Sequence, residues 1–292
     1  MKSSILIKIG LLLFLTILLL APFTFLKPKM SDKGIEALSK ERMLKNDKKA
    51  KVIKKPEKPL HNVTLPDFAA ISDVSTKKKA FFNFLKPAVT KQNKKMLATR
   101  TKLNSWLEHI SLELPLSEQE HQELKVLVNK YRVNKRASTL SQLNDLLLRV
   151  DVIPMALVLV QAANESAWGT SRFSRIGLNF FGIWCYQKGC GMVPGSRNTG
   201  AKHEVAAFQS LDEAVTRYFE NINSHNAYRV FRTIRFELRS QDQVLSPEIL
   251  ATGLLAYSER GVEYVMDITT MLRQNQQYWR EERETQDVVV GD

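Results

Sequence analysis

The stretch MALVLVQAANESAWG, from Met155 to Gly169, decides the fold class of this 292-residue chain. Its first six residues are all apolar, and such a run predicts a helix at the centre of a domain, buried on all sides. Pro154 suits the first turn of this helix, and Gly169 suits its C-terminal end. The last turn of a buried helix then carries one carboxylate, Glu165.

The residues before this stretch have helical patterns. Ser75 and Thr76 are candidate caps of a helix in which Pro87 forces a kink or a break. Ser117 to Glu120 is a capping-box pattern that predicts the start of a second helix. A Leu-rich stretch, 140–150, leads to the central helix. These apolar stripes are typical of core-forming helices.

The residues after it change character. Six glycines separate short apolar segments within residues 177–208, and this pattern predicts loops and a small β-hairpin region. A second capping box, Ser210 to Glu213, opens another helix, and more helix is expected over 246–257 and 260–279. The predicted fold is α+β and mainly α: a helical domain with a small β-hairpin lobe inserted after its central helix.

The N-terminus predicts export. Lys2 and Lys8 precede an 18-residue apolar run, Ile9 to Leu26, which is close to the lower limit for a membrane-spanning helix. The run fits either a cleaved signal peptide or an uncleaved signal anchor. We favour the anchor, because small residues before a cleavage site are poorly represented. The expected location is the periplasm, with anchorage to the inner membrane.

Most of the positive charge lies outside the expected folded body. The net charge is +13, but residues 1–63 hold 14 Lys/Arg and 5 Asp/Glu, which leaves a net +4 for residues 64–292. A basic segment beside an apolar run usually meets anionic lipid or anionic polymer. We expect no nucleic-acid partner, because the sequence has no zinc finger, aromatic RNA-binding motif or helix-turn-helix.

Two cysteines, Cys185 and Cys190, are the whole complement of the chain. In an exported protein this spacing suggests a disulfide that closes a tight loop. The five histidines are scattered, and no HExxH or paired CxxC motif occurs, so we expect no metal and no cofactor.

Five segments are predicted along the chain. They are a signal anchor or signal peptide (1–26), a Lys/Pro-rich linker (27–63), a helical extension (64–138), a catalytic domain (139–280) and a polar tail (281–292).

Glu165 is the strongest candidate for a catalytic residue. Desolvation at the end of a buried helix, with Trp168 three residues on, raises the pKa of a carboxyl group, so that it can deliver a proton to a leaving oxygen at neutral pH. The alternative is a surface glutamate paired with Arg172 or Arg175.

The residues Asn164 to Ser171 resemble the E-S-x-W-G-x-S signature of the glycoside hydrolase family 73 N-acetylglucosaminidases, which have a lysozyme-like fold. Stretches 178–185, 221–229 and 256–265 are similar to the Bax-type branch of that group, and the four motifs come in family order. The resemblance covers roughly residues 64–280. It implies an endo-β-N-acetylglucosaminidase that cleaves β-1,4 bonds of peptidoglycan glycan strands, expected to be a monomer.

The resemblance also implies roles for individual residues. Glu165 would be the general acid, and Tyr257 and Tyr264 would line the cleft, with Tyr257 able to assist near the glycosidic oxygen. Ordinary core positions remain the alternative for both tyrosines. Further candidate contacts to sugar rings are Trp168, Asn179, Phe181 and Trp184.

The second catalytic group is open. Glycosidases commonly use two carboxylates. Glu204, in the expected β lobe, is the candidate base, and the substrate's own acetamido group is the alternative. An excess of positive charge over 166–211 suits a polyanionic glycan; its members are Arg172, Arg175, Lys188, Arg197 and Lys202.

Three other functions compete with the hydrolase. A lytic transglycosylase needs only one carboxylate and leaves 1,6-anhydro ends. A non-catalytic peptidoglycan-binding module would not depend on Glu165. A membrane-associated regulator would bind acidic lipid through residues 27–58.

Overall fold

A computed structural model describes residues 57–195, 200 and 203–279. The chain divides into two compact units, residues 1–57 and 58–292, and the described residues lie almost entirely in the second. The predicted leader, most of the linker and the polar tail lie outside the described residues. Within the described ranges, no helix is both long and apolar enough to span a membrane.

Helices dominate the described residues, as predicted. In chain order the elements are α1 (Val74–Ser111), α2 (Glu118–Lys130), α3 (Thr139–Arg149), α4 (Met155–Ser166), α5 (Arg172–Gly177), β1 (Trp184–Cys185), β2 (Gly191–Met192), β3 (Glu204–Ala206), α6 (Leu211–Ser224), α7 (Arg229–Ser240), α8 (Pro247–Ala251) and α9 (Val262–Gln274), with 3₁₀ turns at Asn226–Tyr228, Thr252–Tyr257 and Gln276–Tyr278.

Helix α4 is the predicted central helix. Its residues from Ala156 to Ala163 are all buried, and the helix contacts α1, α8 and α9. Its ends differ from the prediction by a few residues. Pro154 is the N-cap rather than a first-turn residue, and Ala167, in the left-handed conformation, ends the helix before Gly169 is reached.

Helix α1 is longer than predicted. It runs through Pro87 without a break, and Asp73 caps it by accepting from the Thr76 N–H. Pro87 and Asn83 are both exposed, so the carbonyl that loses its partner four residues before the proline faces solvent, where the loss is small. Helix α1 packs on α3, α4 and α6, and one hydrophobic core joins the predicted extension to the predicted catalytic domain.

The predicted β lobe forms between α5 and α6. It is a three-stranded antiparallel sheet in the order β1-β3-β2, rather than a simple hairpin, because β3 lies between the other two strands. The predicted disulfide between Cys185 and Cys190 is formed, and it closes the loop that joins β1 to β2.

Two of the predicted helix starts are confirmed, whereas the candidate caps Ser75 and Thr76 are wrong because Asp73 caps α1. Ser117 and Glu120 form the predicted capping box of α2. Ser210 caps α6 by accepting from the Glu213 N–H, while the Glu213 side chain accepts from the Gln209 N–H.

The end of the predicted linker is part of the folded body. The Leu60 N–H donates to the Ile176 carbonyl at 2.8 Å, and a His61 ring nitrogen lies 3.1 Å from the Arg175 carbonyl. Phe68 is buried against Gly169, where a Cβ would come within 2.5 Å of the Phe68 ring. Residues 60–63 therefore belong to the folded unit and not to a solvated tether.

Candidate active site

Glu165 lies in the last turn of α4, half-buried. The Asn164 side-chain amide lies 3.2 Å from Glu165 Oε1 and donates to it. Gly182 is exposed and lies against the other carboxylate oxygen, since a Cβ at this position would be 3.5 Å from Oε2. The carboxylate therefore sits beneath the exposed turn that precedes the β lobe.

Burial is the largest influence on Glu165, and it raises the pKa of this carboxyl above its usual value. The hydrogen bond from Asn164, the neighbouring Tyr264 hydroxyl and the positive charge of Arg260 oppose this rise without cancelling it. The alternative pairing with Arg172 or Arg175 is not observed: these side chains donate to the carbonyls of Val193 and Thr170. The group is thus suited to hold a proton.

Four tyrosines surround Glu165. The Tyr257 ring is nearly parallel to that of Tyr264, with centroids 5.4 Å apart, and it lies 5.8 Å from the Tyr228 ring and 6.5 Å from the Tyr218 ring. Burial raises the pKa of each of these phenols, and the nearby Glu165 charge raises them further. At neutral pH they therefore act as uncharged hydrogen-bonding groups.

Two of these tyrosines are joined by Gln161, a residue that the sequence analysis did not select. The Tyr218 hydroxyl donates to Gln161 Oε1 at 2.6 Å, and Gln161 Nε2 donates to the Tyr264 hydroxyl at 2.9 Å. The available signal was a polar side chain directly after the apolar run, four residues before Glu165 and therefore on the same helix face.

The predicted sugar contacts of Asn179 and Phe181 stay predictions, and both side chains are buried against the protein. Asn179 donates to the carbonyls of Ile183 and Ala206 and accepts from the Phe181 and Ile183 N–H groups. The Phe181 ring stacks on Tyr218 at 4.3 Å. These contacts join the loop over Glu165 to β3 through Asn179 and hold that loop on the core through Phe181.

The two tyrosines predicted to line the cleft have different environments. Tyr264 is 1% exposed and contacts Glu165, so it reaches the acid rather than the solvent. Tyr257 is half-buried, and its hydroxyl donates to the Phe181 carbonyl at 2.8 Å. Their direct contact with substrate stays a prediction.

The two candidate tryptophans also differ. Trp168 packs on Phe81 and Phe82 of α1, with the Lys78 ammonium 5.2 Å from its ring centre, so its predicted sugar contact competes with a packing role. Trp184 is 47% exposed and lies 3.9 Å from the His203 ring. Of these two tryptophans, Trp184 is the one that presents a large surface to solvent, two residues after Gly182.

Glu204 is buried in β3, and its two oxygens accept from the N–H groups of Gly189 and Gly191 at 3.0 Å each. These bonds fasten the loop that the disulfide closes. Glu204 lies close to both cysteine sulfurs. The sulfurs are bonded to each other, so they offer no thiolate to a metal. The predicted role of Glu204 as a base stays a prediction, and its contacts favour a structural role.

Comparisons with known proteins agree with the sequence motifs. The glucosaminidase family model, described as mannosyl-glycoprotein endo-beta-N-acetylglucosaminidase, matches residues 141–277. The chain is 34% identical over 214 residues to Protein bax of Escherichia coli (strain K12), which covers 73% of this chain and 75% of the relative. No solved structure matches the chain significantly.

Proposed function

Because this chain belongs to the glucosaminidase family and to its Bax-type branch, we propose that it hydrolyses the β-1,4 bond after N-acetylglucosamine in peptidoglycan, with Glu165 as general acid. Membership of this family shows that the chain is a glycoside hydrolase. The bond that it cuts, the polymer that it acts on and the roles of its residues are what we propose.

The environment of Glu165 is the main observation that supports the proposed function. Burial raises the pKa of the carboxyl, and the Asn164 amide donates to it. A protonated carboxyl at an exposed turn can donate to the glycosidic oxygen as the bond to the anomeric carbon breaks. The proton leaves with the departing sugar, and water completes the hydrolysis.

For the second catalytic group, we favour the substrate's acetamido group over Glu204. Both Glu204 oxygens accept from backbone N–H groups that hold the side chain in place, and its burial limits the access of water to them. An acetamido oxygen that attacks the anomeric carbon gives a product with retained configuration. NMR spectra recorded early in the reaction identify the first anomer released. Retention would support the acetamido group, whereas inversion is expected if Glu204 acts as a distant base.

The test of the function is muropeptide analysis of purified cell-wall sacculi digested by the full-length protein. We expect new reducing N-acetylglucosamine ends with wild type and none with Glu165→Gln. Glu237→Gln, at an exposed position of α7, is the matched control and should cleave as wild type does.

Each other outcome opposes the proposal in its own way. Anhydro ends would identify a lytic transglycosylase. Binding to sacculi without cleavage by any variant would identify a non-catalytic module. Cleavage by Glu165→Gln would remove Glu165 from its role.

The location is a further part of the proposal, and it rests on residues 1–29, which lie outside the described part of the chain. We propose a monomer anchored to the inner membrane and facing the periplasm, where peptidoglycan is accessible. Fractionation with a protease-accessibility assay tests the location, and sedimentation tests the oligomeric state. A protease-protected protein in the cytoplasmic fraction would contradict the location, and a dimer would contradict the monomer.

A further inference from the structure

Helix α1 carries the excess positive charge of the folded body. Between residues 77 and 102 it has nine Lys/Arg and no Asp or Glu. The rest of residues 64–292 holds 20 Lys/Arg and 25 Asp/Glu, and its balance is therefore negative. The positive charge that follows the N-terminal segment is thus concentrated on one helix, where it produces a local positive field.

Five lysines of α1 are exposed on the side of the helix that faces away from the core. Together they form what we term the lysine face: Lys79, Lys91, Lys94, Lys95 and Lys102. The opposite side of α1 packs on α3, α4 and α6. At about 1.5 Å per residue, the face is about 35 Å long. It is an extended row of charges rather than a pocket.

Two of these lysines pair with acids of neighbouring helices. Lys91 pairs with Asp212 of α6, and Lys102 pairs with Glu123 of α2. Both pairs are exposed, with 74% of the Lys91 side chain accessible to solvent, and exposed pairs are weak. The other three lysines of the face form no ion pair within the described ranges. The face therefore keeps most of its positive charge.

The surroundings of the lysines indicate which anions fit. A shallow groove beside Lys91 and Lys94 is lined by Lys86, Pro87 and Thr90, and no acid lines it. All of α1 lies in the described part of the chain, and none of its exposed residues is aromatic. The face thus offers no stacking surface to a sugar ring or a nucleobase. It fits an array of anions that is recognised by charge alone, and the headgroups of anionic phospholipids form such an array.

The sequence before α1 favours the same partner. Residues 27–56 hold 11 Lys/Arg and 4 Asp/Glu, and they follow the apolar run that we propose to lie in the membrane. An anionic surface that attracts this segment also attracts the lysine face. Because both belong to one chain, attachment of the first raises the effective concentration of the surface for the second.

We propose that the lysine face of α1 docks on anionic phospholipid headgroups, so that α1 lies along the membrane surface. This contact goes beyond the hydrolase activity and does not depend on the role of Glu165. Helix α4 packs on the buried side of α1. Docking would therefore fix the orientation of the catalytic helix relative to the membrane.

Lysine labelling of the full-length protein tests the docking. The protein is reconstituted in vesicles of phosphatidylcholine alone or of an equimolar mixture with phosphatidylglycerol, treated briefly with an amine-acylating reagent and analysed by mass spectrometry. We expect Lys79, Lys94 and Lys95 to react roughly tenfold more slowly in the anionic vesicles, and about 0.5 M NaCl should remove the difference. Lys125 and Lys135 are exposed outside α1 and should react equally in both lipids.

Three outcomes of the labelling would overturn the proposal. The first is equal reactivity of the lysine face in the two lipids. The second is equal protection of the control lysines, which would indicate crowding rather than docking. The third is protection by added cell-wall sacculi but not by anionic vesicles, which would make the face a wall-binding surface.

A charge variant tests the same contact with a reporter that stays in place. Lys79→Gln, Lys94→Gln and Lys95→Gln are combined, and glutamine keeps the helix propensity of these exposed positions. Lys91 remains on the face as the reporter. We expect its protection by anionic vesicles to fall from roughly tenfold to about twofold or less. Full protection of Lys91 in this variant would contradict the proposal.

The matched control removes three positive charges outside α1. It combines Lys125→Gln, Arg132→Gln and Lys135→Gln, all at exposed positions, and Lys91 should stay protected in it. Loss of that protection would show a response to net charge alone and would overturn the proposal. Both variants should cleave a soluble glycan at the wild-type rate. An inactive wild type would overturn the proposed function and leave the labelling result to stand.

Discussion

The hydroxyl of Tyr257 donates a 2.8 Å hydrogen bond to the backbone carbonyl of Phe181, 76 residues earlier in the chain. This bond joins the 3₁₀ turn before α9 to the loop that contains Gly182, which lies against Glu165. The position of that loop over the acid thus depends on a residue from the far end of the helical domain.

Tyr257→Phe should therefore weaken the attachment of the loop while keeping an aromatic ring among the tyrosines near Glu165. We expect a loss of about 0.5–1.5 kcal/mol in the free energy of unfolding, since one hydrogen bond is removed. A moderate fall in kcat/KM should accompany it, measured on a soluble glycan substrate. Tyr131→Phe, which removes a buried hydroxyl that contacts Met96, is the control. A fall in kcat of more than about a hundredfold with unchanged stability would instead give Tyr257 a direct chemical role.

Gly182→Ala tests the turn above the acid. The φ of Gly182 is +65°, a conformation in which an alanine costs about 1–3 kcal/mol. The added methyl group would also touch Glu165 Oε2 on the side that faces solvent. We expect lower stability by urea unfolding together with weaker kcat/KM. Gly189→Ala, at φ +81° with open space around its Cβ position, should lower stability alone.

Glu204→Gln separates a base from a structural carboxylate. The substitution keeps the shape but weakens the bonds to Gly189 and Gly191, so we expect the free energy of unfolding to fall by about 1.5–3 kcal/mol. The loss of kcat/KM should stay below about tenfold. Unchanged stability with a loss of activity beyond about a hundredfold would show that Glu204 is the base.

Glu165 should make stability fall with rising pH. Its pKa in the folded protein is above the unfolded value of 4.5, so the folded state binds more protons between those two values. The contribution is fully present below 4.5 and is lost as pH rises through the folded pKa. Urea unfolding between pH 4 and 8 should show that the free energy of unfolding of Glu165→Gln increases relative to that of wild type as the pH rises. Glu237→Gln should follow wild type. A pH-independent difference would contradict the raised pKa.

The parts of the fold that follow from local chemistry were predictable. The apolar run of α4, the capping box at Ser117 and the Ser210 cap each depend on a few neighbouring residues, and all three are observed. The placement of one acid in the last turn of the buried helix followed from the same run.

The contacts that organise the site were not predictable from local patterns. Gln161 meets Tyr264 across 103 residues, and Asn179 meets Ala206 across 27. Aromatic and amide residues near the acid were therefore assigned to the sugar, although several of them contact the protein itself. The uninterrupted course of α1 through Pro87 was missed because exposure of that helix face is a tertiary property.

The docking of Leu60 and His61 has a mechanical consequence. These residues bind the carbonyls of Ile176 and Arg175, in the short helix that follows the loop after Glu165. A pull on the chain that precedes Lys58 is delivered first to these two attachments, and then to Phe68 where it covers Gly169. Such a pull is thus borne by the residues that contact α5 and the turn after α4.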